Sequence, residues 1–98
     1  MTAANPTPPT VVLVHGAFAD AGSWAAVVER LLAADVRVQA LAIAMRGLAS
    51  DSAYVASAIS QINGPVLAVG HSYGGAVISN ACTGAANVVG LAAAAVCA

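Results

Sequence analysis

Short continuous apolar runs alternate along the chain with segments in which apolar residues recur every three or four positions. Apolar runs bounded by Gly, Pro or Asn indicate strands, and a 3.6-residue repeat indicates a helix with one buried face. The runs predict four strands, at residues 10–14, 36–43, 65–69 and 88–96. The run at 65–69 has no alternating polar positions, which is typical of a strand covered on both faces of a parallel sheet.

The first predicted helix begins near Trp24. Its apolar positions form a single stripe that we expect to face the sheet, made of Trp24, Val27, Val28, Leu31 and Leu32. Glu29 and Arg30 fall on the opposite side, which we expect to face solvent. The stripe predicts that this helix packs against the sheet along most of its length.

Two further helices are predicted. The second is capped by Ser50 or Asp51 and stops before Asn63-Gly64-Pro65, and the third runs from Gly74 to about Thr83. Strands that alternate with helices in this way predict an α/β fold, with a four-stranded parallel sheet and right-handed crossovers.

Composition limits both the size of the fold and its function. A chain of 98 residues forms one domain at most, since domains typically contain about 100–200 residues. We assign residues 10–98 to this domain and residues 1–9 to a flexible N-terminal lead-in. Hydrophobic residues make up 60% and charged residues 7% of the chain, which excludes intrinsic disorder. The net charge of −1 leaves no basic surface for nucleic-acid phosphates.

We expect neither a membrane span nor a secretion signal. A spanning helix needs about 20 consecutive apolar residues, and Gly, Pro, Asn or His interrupts the apolar runs well before that length. The N-terminus lacks the basic region of a signal peptide. Cys82 and Cys97 are too few for a disulfide framework or a zinc cluster, so we expect free thiols, no metal and a cytoplasmic location.

The candidate chemistry begins at Gly70-His71-Ser72-Tyr73-Gly74, a Gly-x-Ser-x-Gly sequence between a predicted strand and a predicted helix. A serine on such a tight turn projects above the sheet, and the flanking glycines leave room for the turn. The following helix would direct backbone N–H groups at negative charge beside the serine. Ser72 is therefore the candidate nucleophile. The alternative is a glycine-rich turn that packs helix on strand or binds phosphate.

A second glycine turn follows the first predicted strand, at His15-Gly16-Ala17. Gly16 permits a sharp turn, which would leave the N–H of Ala17 free to point into a site. Together with the N–H of Tyr73 from the other loop, it would form an oxyanion hole facing Ser72. By itself, this segment is better interpreted as an ordinary strand-to-helix loop with His15 as a satisfied polar residue. Because the Gly-x-Ser-x-Gly turn follows downstream, we interpret the segment instead as a part of the candidate site that faces Ser72.

These segments, with Ser23-Trp24 and Met45-Arg46-Gly47-Leu48, resemble the N-terminal part of the α/β-hydrolase superfamily, and in particular its short bacterial esterase-like members. The resemblance covers about residues 10–96. It implies a partial α/β-hydrolase fold whose strands correspond to the family's third to sixth, in the sheet order 4-3-5-6. It implies no metal or organic cofactor. The resemblance also assigns the site: Ser72 as nucleophile, the N–H groups of Ala17 and Tyr73 as oxyanion hole, and His15, Gly16, Gly70, His71 and Gly74 as supporting residues.

The sequence departs from this family where the catalytic machinery should be completed. In α/β hydrolases an acid and then a histidine follow the nucleophile along the chain, and no Asp, Glu or His follows Ser72. His15 belongs to the candidate oxyanion loop, and His71 is expected to point in a different direction from its neighbour. We therefore expect a chain truncated before its acid and histidine, and inactive as it stands.

The leading functional hypothesis is a serine hydrolase that cleaves a carboxylic ester by acyl transfer, with a small-molecule ester as the substrate of the complete enzyme. The same serine could instead serve perhydrolysis or cyanohydrin cleavage, because one fold hosts many reactions. A non-catalytic remnant, or pseudo-enzyme, is the hypothesis from another class. We also expect the uncharged strand at 88–96 to form the sheet edge and to favour self-association.

Overall fold

The computed structural model describes residues 8–17 and 19–94. Strands and helices alternate along this part of the chain, and a short 3-10 helix (Ala21–Trp24) precedes the first α-helix. The strands are β1 (Thr10–Val14), β2 (Val38–Leu41), β3 (Val66–His71) and β4 (Val88–Ala94). The helices are α1 (Ala25–Ala33), α2 (Leu48–Ser60) and α3 (Tyr73–Ala81).

The strands form one four-stranded parallel sheet in the order β2-β1-β3-β4. This arrangement confirms the predicted α/β fold and the strand order that the family resemblance implied. In the central pair, Val12 lies beside Ala68 and Val14 lies beside Gly70. The carboxyl ends of β1 and β3 therefore meet at one edge of the sheet, and the loops that follow them come together.

The helices cover the two faces of the sheet unequally. Right-handed crossovers, from β1 to β2 and then back across β1 to β3, place α1 on one face and α2 with α3 on the other. The main core lies between the sheet and the α2–α3 pair, where each fully buried aliphatic side chain contributes about 1.5–3 kcal/mol. Its fully buried members are Val12, Val14, Val55, Ile59, Val66, Ala68, Val77 and Ile78.

The prediction that the whole apolar stripe of α1 faces the sheet is wrong. Val28 and Leu31 are half-buried, but Val27 is 40% exposed and Leu32 is 58% exposed. The helix rests mainly against β2, at the side of the sheet, and against the 3-10 helix. Only the centre of the stripe therefore reaches the sheet, while its flanks remain uncovered.

Helix α2 begins before its predicted cap. Gly47 precedes it with φ 138°, a conformation that favours glycine, and Leu48 is already helical. Ser50 and Asp51 consequently lie in the first turn, and neither is the N-terminal cap. The carboxylate of Asp51 accepts hydrogen bonds from backbone N–H groups of the loop before the helix instead.

Other boundaries differ from the prediction by a few residues. β2 is shorter than the predicted 36–43, β3 extends to His71, and α3 ends at Ala81. Most of the predicted flexible lead-in and the end of the predicted last strand, residues 1–7 and 95–96, lie outside the described residues. Within the described part of the chain, no helix is long and apolar enough to cross a membrane.

The edge strand β4 carries no charged residue, and on it Val89 is 66% exposed and Leu91 is 50% exposed. An uncharged apolar edge offers its unpaired N–H and C=O groups to a second chain. We predict that the isolated chain self-associates at micromolar concentration. Leu91→Lys should shift it toward monomer on size-exclusion chromatography, because a charge at the edge opposes strand pairing.

The matched control for this experiment is Leu32→Lys, at an exposed position on α1. It adds the same charge away from the sheet edge, so the distribution of oligomers should stay that of the unsubstituted chain. A sharp monomer peak with cooperative thermal unfolding from the unsubstituted chain would contradict the prediction.

Candidate active site

A single residue, Ser72, links the end of β3 to the start of α3. Its backbone has φ 56° and ψ −117°, a region that residues other than glycine adopt at a cost of about 1–3 kcal/mol. The residue is exposed. The turn therefore presents Ser72 to solvent at the carboxyl edge of the sheet, in the strained strand-to-helix geometry that a Gly-x-Ser-x-Gly sequence predicts.

Close backbone contacts require the glycines at both ends of this motif. A Cβ added to Gly70 would overlap the backbone of Gly74, and a Cβ added to Gly74 would overlap the carbonyl groups of Val14 and His15. At these two glycines, the backbone of the first turn of α3 therefore lies directly against the backbones of β1 and β3, with no side chain between them. Larger residues at these positions would push the helix away from the sheet.

The loop after β1 passes directly against the serine. A Cβ on Gly16 would lie 3.3 Å from the Cβ of Ser72 and 3.0 Å from the carbonyl oxygen of His71. Ala17 lies in the turn that follows Gly16. Tyr73 is the first residue of α3, so its N–H precedes the hydrogen-bond ladder of the helix. The structure thus brings the loop that contains Ala17 against Ser72, and it places Tyr73 directly after Ser72 at the start of α3.

His15 is buried, at 3% exposure, and it joins two loops. Its Nε2 accepts the N–H of Ile43 at 3.1 Å, so Nδ1 carries the ring proton and donates to the carbonyl of Gly16 at 2.9 Å. Both ring nitrogens are therefore occupied. His15 holds the loop after β1 against the loop after β2 and is not available as a base for Ser72.

His71 lies on the α1 side of the sheet. Its ring stands edge-on to Trp24, with centroids 6.4 Å apart and planes at 87°. Trp24 is half-buried rather than fully inside, and its Nε1–H has no acceptor among residues 8–17 and 19–94. The two rings line a cavity of about 220 Å³ together with Ala19, Ser23 and Val27. This cavity, beside the serine turn, has room for a small apolar group.

Sequence reasoning missed the main contact of Asp51, which is 1% exposed. Its Oδ2 accepts a hydrogen bond from the Tyr73 hydroxyl at 2.6 Å. The Tyr73 hydroxyl lowers the pKa of Asp51, against the opposite effect of burial, and Asp51 raises the pKa of Tyr73. The sequence contains one indication that Asp51 has a specific partner, because Asp51 is the last charged residue before a long uncharged stretch.

An exposed serine on a strained turn is suited to attack a carbonyl group. Backbone N–H groups beside it, from the loop after β1 and from the start of α3, are the kind of donor that stabilises the resulting oxyanion. Within the described ranges, no cluster of three or more His, Cys, Asp or Glu side chains could hold a metal ion. The parallel sheet and this serine turn together define an α/β hydrolase. The chain belongs to the alpha/beta hydrolase family, whose sequence model matches residues 11–98.

Solved structures of hydrolases resemble this fold. One is an extracellular α/β-hydrolase from a Paenibacillus species, which shares structural and functional homology with tobacco salicylic acid binding protein 2. It aligns with a TM-score of 0.78 and 25% identity, over 88% of this chain and 40% of its own. A pyrethroid hydrolase from Sphingobium faniae JZ-2 aligns with a TM-score of 0.75 and 29% identity over 89% of this chain and 39% of its own.

A variant of the pyrethroid hydrolase PytH with a histidine replaced by alanine also aligns, with a TM-score of 0.78 and 28% identity over 89% of this chain and 40% of its own. The chain thus spans about 40% of the length of these hydrolases. No curated protein matches the chain.

The glycine contacts lead to a prediction for stability. Gly74→Ala should lower the free energy of unfolding by at least about 3 kcal/mol, because its Cβ would overlap the backbone of β1 and force α3 outward. Gly22→Ala is the matched control, since its Cβ would meet only the flexible side chain of Asp20, at 3.2 Å. Urea denaturation followed by circular dichroism measures both. A Gly74→Ala chain as stable as the Gly22→Ala chain would contradict the prediction.

The contact between Asp51 and Tyr73 predicts a dependence of stability on pH. The folded pKa of Asp51 lies below the ordinary 3.8, so its contribution is complete above pH 3.8 and is lost as pH falls through the lowered pKa. Asp51→Asn should therefore reduce the free energy of unfolding at neutral pH and flatten its decline in acid. Urea denaturation at a series of pH values measures this difference.

Asp35→Asn is the control for that experiment, because it removes an exposed carboxylate and keeps the Asp51 contact. It should retain the acid decline of the unsubstituted chain. Identical pH profiles for the unsubstituted and Asp51→Asn chains would show that the contact contributes nothing to folding.

Proposed function

We propose that the complete protein is a serine hydrolase that cleaves small carboxylic esters by acyl transfer, and that Ser72 is its nucleophile. The observation that carries this proposal is the positive-φ turn that exposes Ser72 at the carboxyl edge of the sheet, against Gly16. The similarity to pyrethroid hydrolases supports hydrolytic chemistry.

In the proposed reaction, Ser72 Oγ attacks the carbonyl carbon of the ester while its proton passes to a base. The carbonyl oxygen becomes an oxyanion, to which the N–H groups of Ala17 and Tyr73 donate. The bond to the alcohol oxygen then breaks, and the alcohol leaves with a proton. Water hydrolyses the acyl-serine and releases the carboxylic acid. A single oxyanion donor of this kind typically contributes about 10²–10³ in kcat.

We propose that the base of this reaction is not among these 98 residues. His15 uses both ring nitrogens within the loops, and His71 packs against Trp24 on the α1 side of the sheet. No Asp, Glu or His follows Ser72. We infer that the catalytic acid and histidine belong to a longer form of the protein, which agrees with the 40% of a hydrolase chain that these residues span.

The absence of an acid and a histidine after Ser72 also favours a second candidate, which is a non-catalytic remnant that keeps the hydrolase turn. The two candidates differ in what they require of Ser72. A nucleophile must react once an external base is supplied, whereas a remnant need keep only the shape of the turn.

We also propose a cytoplasmic location. Cys82 is a free, half-buried thiol, and burial raises its pKa, which keeps it protonated and unreactive. A similar solved structure is that of an extracellular hydrolase, so cell fractionation is the deciding measurement.

Without added base, the purified chain should cleave a short activated ester at a near-background rate, equal to that of Ser72→Ala. Loss of triad members in comparable enzymes costs about 10⁴–10⁶ in kcat. Added imidazole can take the proton of Ser72, so it should produce ester cleavage above that of Ser72→Ala, with an acyl group on Ser72 detectable by mass spectrometry.

The outcomes separate the candidates. No excess cleavage and no acyl group on Ser72 in the presence of imidazole would contradict the proposed nucleophile and favour the remnant. Saturable turnover without imidazole, absent in Ser72→Ala, would instead show that the chain or a second copy supplies its own base.

A further inference from the structure

Tyr73 serves the proposed site with two groups that reach different partners. Its backbone N–H, next to Ser72, is a proposed oxyanion donor, and its hydroxyl donates a 2.6 Å hydrogen bond to Asp51 on α2. Because the two residues lie on different helices, this hydrogen bond ties the first turn of α3 to the first turn of α2 and opposes movement of one against the other. Fixing the side chain of Tyr73 therefore restricts the direction of its N–H.

The carboxylate of Asp51 is itself held in place. Its Oδ1 accepts the N–H groups of Met45 at 3.1 Å and Arg46 at 3.3 Å, and its own backbone N–H donates to the carbonyl of Gly47 at 2.9 Å. The side chain is 1% exposed. Hydrogen bonds to an ionised carboxylate are roughly twice as strong as neutral ones. Asp51 is thus a fixed anchor for Tyr73 rather than a mobile partner.

The loop that Asp51 anchors also reaches the other half of the site. Ile43, in the same loop after β2, donates its N–H to His15, and the His15 ring donates to the carbonyl of Gly16. Hydrogen bonds therefore join the loop after β1 to the loop after β2, and the loop after β2 through Asp51 to Tyr73. The loop after β1 and the first residue of α3 are therefore connected through the loop after β2.

Resting on the proposed function, we propose that Asp51 is a positioning residue that keeps the N–H groups of Ala17 and Tyr73 directed at one point beside Ser72. Asp51 acts through Tyr73 and through the loop after β2, and it does not touch the substrate. The competing view is that Asp51 only stabilises the start of α2. Measurements of stability alone cannot separate the two views, because both predict a less stable Asp51→Asn chain.

Binding of a short alkylboronic acid separates them, because it reports the oxyanion site without needing turnover. Ser72 Oγ forms a bond to boron as its O–H bond breaks, the proton passes to solvent, and the anionic boronate places one hydroxyl in the oxyanion site. Trp24 is the single tryptophan and its ring lies 6.4 Å from that of His71, beside Ser72. Its fluorescence reports binding at micromolar protein concentration.

Asp51→Asn and Tyr73→Phe should each weaken boronate binding by about tenfold to a hundredfold, the scale expected for a misplaced site. The double variant should bind no more weakly than the weaker single variant, because both substitutions act on one contact. Tyr73→Phe removes its hydroxyl donor, and Asp51→Asn replaces its charged acceptor by a neutral amide. Asp35→Asn should bind as the unsubstituted chain does, and Ser72→Ala should show no specific binding. Circular dichroism checks folding, and Tyr73→Phe carries the test if Asp51→Asn does not fold.

Unchanged boronate binding in the two variants would overturn the positioning role, and so would additive losses in the double variant. An unsubstituted chain that binds boronate no better than Ser72→Ala, with imidazole present as the base, would contradict the proposed function instead. The role of Asp51 would then be decided by NMR of the Tyr73 amide. A shift of that resonance in Asp51→Asn, with none in Asp35→Asn, would support it, and an unmoved resonance in Asp51→Asn would overturn it.

Discussion

The site depends on how closely the first turn of α3 approaches the carboxyl end of β1. No side chain separates Gly74 from the carbonyl group of Val14, so the helix begins directly above the sheet. The chain must then reverse at Ser72 within one residue, which gives the positive φ. The strain of about 1–3 kcal/mol is offset by the buried Val77 and Ile78 further along α3, each contributing about 1.5–3 kcal/mol.

The unequal cover of the two faces gives the site one rigid side and one open side. On the α2–α3 side, the core and the Asp51 contact hold the serine turn. On the α1 side, the rings of His71 and Trp24 border a cavity beneath a helix whose apolar flanks are exposed. In the proposed hydrolase, the serine turn lies on the well-packed side of the sheet, and the cavity on the other side is open to a group of the substrate.

The parts of the site that could be predicted from the sequence are those fixed by local backbone geometry. Gly70 and Gly74 flank a serine between strand and helix, and the turn that this spacing predicts is the turn observed. The contact between Asp51 and Tyr73 joins residues 22 positions apart on two helices, and no local pattern encodes it. The width of the α1 stripe was overestimated for a related reason, since a helical repeat does not show how much of the sheet a helix covers.

The register of β4 places the end of this strand at the same edge of the sheet as the serine turn. Ala94 lies beside His71 in the sheet, so β4 ends at the same edge and one strand away from Ser72. The loop of His15 lies on the opposite side, after β1. In a parallel sheet the loops at the carboxyl ends face a common crevice. Ser72 and Gly16, which the proposed function places on the two sides of the reacting carbonyl group, follow the neighbouring strands β3 and β1. Because the turn at Ser72 is shaped by its own glycine contacts and core packing, its form does not require the acid and the histidine that the proposed function adds.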